Sequence, residues 1–197
     1  MIIVAPRTAA KESAMQTDKF TALVRNALMS AQNDALAANH QKVTAAHLLR
    51  ALLADDNVTI RSLIGRAGGD LDALQAKLDK AIAAIPAVTG SGADQLQLDI
   101  ELARILQAAE SESKSLGDSF LAVDALLLAM VKSRNAIGGI LKESGVDAAR
   151  VRSAIADMRK GRTADSDAAE DSYEALAKYT TDVTDAARRG KLDPVIG

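Results

Sequence analysis

The 197-residue sequence has no cysteine and no tryptophan, and only two phenylalanines, two tyrosines and three prolines. Without Cys there are no disulfides, thiolate nucleophiles, iron–sulfur clusters or Cys-based zinc sites, and a reducing compartment is compatible. So few aromatics leave little on which nucleic-acid bases could stack. Long apolar runs are missing too. Leu121–Val131 is broken by Asp124 and falls far short of the roughly 20 residues that cross a bilayer. Nor does one sign of charge dominate: 24 Lys and Arg against 26 Asp and Glu give a formal charge of −2, so no general field draws in nucleic acid or an anionic membrane. Met1–Ala14 opens with a short apolar run but lacks the stretch of a secretory signal. It is expected to be a disordered leader, with Met15 as a second possible start.

What is present is aliphatic. Apolar residues make up 48% of the chain, 40 of them alanine, and Leu, Ile, Val and Ala recur at helical spacing, so the predicted fold is all-α. Phe20, Leu23, Val24, Ala27, Leu28 and Ala31 mark one helix face from Asp18 to about Ala38. Thr44 begins a second helix through Leu52 and Leu53, Val58–Arg66 is a third, and Asp70 caps a fourth to about Ala84. Pro86, Gly90, Ser91 and Gly92 make a loop. The pattern then repeats. An offset of 78 carries Phe20 onto Leu98, Val24 onto Leu102, Leu28 onto Leu106 and Val43 onto Leu121; one deletion shifts it to 77, pairing Gly68 with Gly145, Asp70 with Asp147 and Leu78 with Ile155. The shared Gly-x-Asp is a helix stop followed by a new cap. Two four-helix repeats, about 18–85 and about 96–160, are therefore expected to pack as one pseudo-twofold domain over 15–160. Polar residues 161–171 read as a flexible linker, and Tyr173, Leu176, Tyr179 and Val183 mark one further helix.

Chemistry is sparse in this pattern. His40 and His47 have no second metal ligand at helical spacing and read as structural. Gly90-Ser-Gly92 lacks the third glycine of a dinucleotide fingerprint, and Gly190-Lys191-Leu192 lacks the flanking residues of a Walker A loop. Arg159-Lys160-Gly161-Arg162 and Arg188-Arg189-Gly190-Lys191 fall where helices end and suit the helix dipole. Asp118 and Asp124 flank Phe120; with no nucleophile beside them, they read as a cap and a solvated carboxylate.

Several segments carry a family resemblance. Asp18-Lys-Phe-Thr21, Ala45-Ala-His-Leu-Leu-Arg-Ala-Leu-Leu53, Ala67-Gly-Gly-Asp70, Gly117-Asp-Ser-Phe120 and Lys160-Gly-Arg-Thr-Ala-Asp-Ser166 ahead of Tyr173-Glu-Ala-Leu-Ala-Lys-Tyr179 resemble the N-terminal repeat domain of Clp chaperones. Gly190-Lys-Leu-Asp-Pro-Val-Ile-Gly197 resembles the opening of their first AAA+ module. Together they look most like the ring-forming, ClpB-type disaggregases. The resemblance implies a non-catalytic substrate-handling module, with no cofactor in this stretch and with ATP and magnesium belonging to the full-length protein. It also implies a cytoplasmic chaperone, homohexameric at full length and working with the DnaK system on unfolded or aggregated polypeptide. No nucleic-acid or membrane partner is implied, and the stretch alone is expected to be a monomer. The family's functional polar positions fall on Thr21, Asp118 and Asp124, the last where the family often carries Glu; Lys42 stands where the first repeat has Phe. A groove along the repeat seam, walled by Val24, Leu28, Leu102 or Leu106, is the expected seat for exposed apolar segments. The alternative is an adaptor-docking N-domain of a protease-coupled Clp ATPase.

Overall fold

Thr21 holds extended backbone (φ −64°, ψ 162°), and its hydroxyl faces the Val24 N–H at 3.5 Å. From this start runs α1, Ala22–Ala37, in a computed structural model that describes residues 17–54, 57–88 and 96–173. The N-terminal leader, the Gly90–Gly92 loop and the helix expected beyond Tyr173 lie outside those residues. The helices that follow are α2 (Ala45–Leu52), α3 (Val58–Arg66) and α4 (Leu71–Ala83), then α5 (Ile100–Ser115), α6 (Val123–Lys132), α7 (Ala136–Glu143) and α8 (Ala148–Arg159). Short polar side chains open most of them. Asn57, Asp70, Asp99, Asn135 and Asp147 each accept a backbone N–H of the first turn, an arrangement worth about 1 kcal/mol per cap.

The duplication is visible in the backbone. α1 and α5 are both 16 residues long, and each turns out through a positive-φ residue, Asn39 (54°) and Gly117 (80°), at equivalent positions. A two-residue parallel ladder, β1 (Lys42–Val43) with β2 (Gln97–Leu98), pairs Val43 with Leu98. Its symmetry mate is the bridge between Phe20 and Leu121. The hydrogen bonds repeat as well: Thr21 N–H donates to Leu121 O at 3.0 Å, and Asp99 N–H to Val43 O at 3.0 Å. Each repeat thus clasps the other through the residue before its first helix.

At the pseudo-twofold axis two glycine corners meet. Gly68 (φ 87°) and Gly145 (φ 84°) take the left-handed conformation that a helix stop requires, and Asp70 N–H donates across the axis to Ser144 O at 2.9 Å. A Cβ on Gly145 would lie 2.7 Å from Gly68 O, so the approach needs glycine there. Around this axis α3 packs on α8 and, equivalently, α4 on α7. One continuous aliphatic core results, with residues from both repeats.

Two expectations are corrected by this packing. Val24, Leu102 and Leu106 are 0% exposed and Leu28 is 9% exposed; these inward stripes of α1 and α5 are core and do not wall a surface groove. Residues 161–173 do not form a free tether either. They run back over the domain and bury Ala164, Ala169, Glu170 and Tyr173, because small side chains let the backbone lie close and the starts of α1 and α6 offer it N–H donors.

Candidate functional site

The polar residues singled out by resemblance converge at the end of α8. Val151, Ala154, Ile155 and Arg159 form the inward stripe of that helix, so Arg159, although in its last turn, points into the domain. Its guanidinium lies between two carboxylates. Nε and Nη2 reach Asp124 at 2.6 Å each, while Nη1 and Nη2 reach Asp118 at 2.6 and 2.9 Å. The three side chains are 4% exposed or less. Two bidentate forks on one planar cation use the geometry that distinguishes Arg from Lys. Burial works against the charge of Arg159, but the hydrogen bonds it donates to Asp124 and then to Asp118 outweigh that effect, and the pKa is raised. Asp124 is therefore not a solvated carboxylate, and Asp118 caps no helix. Its Oδ1 also accepts from Ala164 N–H at 2.8 Å.

Thr21 stands beside this cluster, bonded to the returning segment. Its hydroxyl donates to Glu170 Oε1 at 2.7 Å, and the same oxygen accepts from Val123 N–H at 3.0 Å. One carboxylate oxygen thereby joins the first turns of α1 and α6. Burial raises the Glu170 pKa against the opposing effect of those hydrogen bonds. Backbone bonds complete the seat: Ala22 N–H to Asp167 O at 2.7 Å, and Ser119 and Phe120 N–H to Ala164 O at 3.1 and 2.9 Å. Tyr173 closes it, with Arg159 5.6 Å over its ring. Two atoms here are buried without a partner, Glu170 Oε2 and the Tyr173 hydroxyl, each an unmade hydrogen bond costing about 1–3 kcal/mol.

The equivalent corner of the first repeat is neutral. The register puts His40 where Asp118 stands, Ala46 at Asp124 and Ile82 at Arg159. Thr44 N–H donates to His47 Nδ1 at 3.1 Å, and His47 Nε2 lies 2.9 Å from His40 Nδ1. The hydrogen bonds therefore place the His47 proton on Nε2. Burial, then the neighbouring His40, pushes the His47 pKa down to about 4. The returning segment has a counterpart as well. An offset of 77 takes Ala87 to Ala164, and Ala87 bridges to His40 as Ala164 bonds beside Asp118. The repeat unit therefore includes the return after its fourth helix.

An accessible concavity lies elsewhere, between α5 and the α6–α7 turn. It encloses about 400 Å³; Ile105, Ala108 and Ala129 contribute its apolar surface, and Arg104, Lys132 and Arg134 are among its charged rim. Glu112 ties one end, accepting from Lys132 at 2.5 Å and Arg152 at 3.0 Å. Ile100, 63% exposed, shares the helix stripe of Arg104 and Ala108 by its spacing of four. Among the described residues no His, Asp and Glu cluster suits a metal ion, and no helix is long and apolar enough to cross a membrane.

A duplicated four-helix unit clasped about a glycine axis, with an open concavity beside α5, defines a helical repeat domain. Residues 19–144 match the Clp repeat (R) N-terminal domain, and the chain belongs to that family. It is 44% identical over 184 residues to the chaperone protein ClpB of Rhodopseudomonas palustris, covering 93% of this chain and 21% of the relative. It is 38% identical over 183 residues to that of Rickettsia bellii. The chain thus spans about a fifth of the length of these relatives. In fold it is similar to the Hsp104 N-terminal domain of Candida albicans, with TM-score 0.67, 20% identity, and 77% and 98% of the two chains covered. It also resembles a ClpV N-domain in complex with a VipB peptide, with TM-score 0.57, 23% identity, and 71% and 86% covered.

Proposed function

We propose that this chain is the substrate-recognition N-domain of an ATP-dependent, ClpB-type chaperone that binds exposed apolar segments of unfolded polypeptide. The observation that carries the reading is the α5 concavity, where exposed Ala108 stands beside the nearly buried Ile105 and Ala129, with Ile100 exposed one helix turn before Arg104. An extended segment can lay apolar side chains there while the charged rim stays wet. A ClpV N-domain of the same fold is known in complex with a peptide, which supports a polypeptide ligand. The full-length protein, in this reading, is a cytoplasmic homohexamer that supplies ATP and magnesium chemistry from other domains and disaggregates stress-denatured proteins with the DnaK system. Weak, rapidly reversible capture suits a module that hands its ligand onward.

Thr21, Asp118 and Asp124 serve this function indirectly, as buried groups that fix the starts of α1 and α6. The test is a fluorescence-anisotropy titration of a labelled, permanently unfolded polypeptide. Saturable binding is expected for the intact chain, weakened about tenfold or more by Ile100→Ser combined with Ala108→Lys, a loss of the size expected from about 1.4 kcal/mol of contact. Absence of binding by the intact chain overturns the function. Undiminished binding by the double variant overturns the groove as its seat.

A further inference from the structure

We propose that residues 161–173 are a releasable strap, latched by Glu170, that passes between a docked and a free state. Ala122, Ala164, Ala169 and Tyr173 form a small cluster that meets the main core through Met158 alone among the partly buried hydrophobics, so the strap can lift without opening that core. Its removal also spares the ionic cluster. Asp118 loses only the Ala164 N–H and keeps both bonds to Arg159, and Asp124 is bonded to Arg159 alone among the side chains. The backbone donors uncovered, Ala22, Ser119, Phe120 and Val123, lie at or just before helix starts, where water satisfies N–H groups readily.

Beside the backbone bonds of Asp167 and Ala164 and the Arg25–Asp167 ion pair, one side-chain atom joins the strap to both helix starts. Glu170 Oε1 takes both the Thr21 hydroxyl and the Val123 N–H, whereas Glu170 Oε2 and the Tyr173 hydroxyl are buried with no partner. Release returns both orphaned groups to water, which favours opening. Release frees residues 161–173, an extended length of up to about 40 Å. The strap thus switches between a part of the folded domain and a free segment beyond Lys160.

Amide hydrogen exchange on the 197-residue chain tests this. Phe120 and Val123 N–H groups, whose acceptors belong to the strap, are expected to exchange together, about 100-fold faster than interior amides such as Leu28, Leu106 and Leu126, as a sub-global opening does. Glu170→Ala is expected to speed that set about tenfold more while the interior amides stay unchanged. Glu170→Gln, which keeps the acceptor oxygen, is expected to remain within about threefold of the parent. Exchange of the strap-bonded amides at the interior rate, no acceleration in Glu170→Ala, or equal acceleration of interior amides would each overturn the latch.

Discussion

Position 159 in the second repeat is an arginine held between Asp118 and Asp124; its counterpart in the first is Ile82, with His40 and Ala46 where the carboxylates stand. The backbones around these positions match, down to the capped helix starts, the positive-φ turns and the reciprocal bridges. The repeat therefore dictates a corner and leaves its chemistry open. One corner is filled by an apolar side chain and two imidazole rings, His40 and His47. The other holds a permanent cation that is stable only while both carboxylates face it.

The largest difference between the corners should appear on truncation. Arg159→Ala leaves two buried carboxylates without their cation and is expected to cost about 3–5 kcal/mol in urea unfolding. Ile82→Ala, which only opens a cavity, should cost about 2–4 kcal/mol. A triple variant of Asp118→Asn, Asp124→Ala and Arg159→Ile, which copies the neutral character of the first repeat, should lose less than Arg159→Ala alone. If it loses more, the ionic cluster is not the reason for the cost.

Acid should act on the first corner. His47 titrates at about 4 in the folded domain against about 6.5 in an unfolded chain. The unfolded state therefore takes up the proton first. The stability that the neutral ring contributes is complete above about pH 6.5 and is lost as pH falls toward 4, by about 3 kcal/mol at most. In His47→Gln that portion of the acid dependence should vanish, as read from unfolding midpoints at pH 7 and pH 4.5.

The two glycines at the pseudo-twofold axis differ as well. Gly145→Ala drives a Cβ into the Gly68 carbonyl at 2.7 Å, whereas Gly68→Ala meets the end of the Arg150 side chain at 2.7 Å. Both keep a positive φ. The first should cost about 2–3 kcal/mol and the second about 1, because a flexible side chain yields and a backbone carbonyl does not. The smallest effect has the opposite sign. Tyr173→Phe removes a buried hydroxyl with no partner and should be neutral or stabilising by up to about 1 kcal/mol in thermal unfolding.

Helical spacing and caps made much of the fold legible. Val58–Arg66 is helical over the same residues that the sequence predicts, Asp70 and Asp147 cap as their Gly-x-Asp context implies, and the two offsets locate the pseudo-twofold axis. The candidate site was legible only in part. Asp118 and Asp124 were identifiable by resemblance, but the partner that buries them was not, since Arg159 sits in a basic run that reads as a helix end. A signal did exist: the register aligns Arg159 with Ile82 and Asp124 with Ala46, both core positions. Val24 and Leu102 carry an apolar character that suits a groove wall and a core equally, and only packing separates the two. The strap was hidden for a different reason. Its polar composition describes how the segment behaves alone, while its docking depends on unfilled N–H groups at helix starts far away in sequence.

On the proposed function, the buried polar cluster is internal architecture and ligand meets the domain at the α5 groove. Adding an unlabelled, permanently unfolded polypeptide to the isotopically labelled chain and mapping amide shifts tests it directly. The expected result is saturable perturbation at Ile100, Arg104, Ala108 and Lys132–Asn135, with Thr21, Asp118, Val24 and Leu102 unmoved. Perturbation centred on Thr21, Asp118 and Asp124 with the groove silent would contradict it.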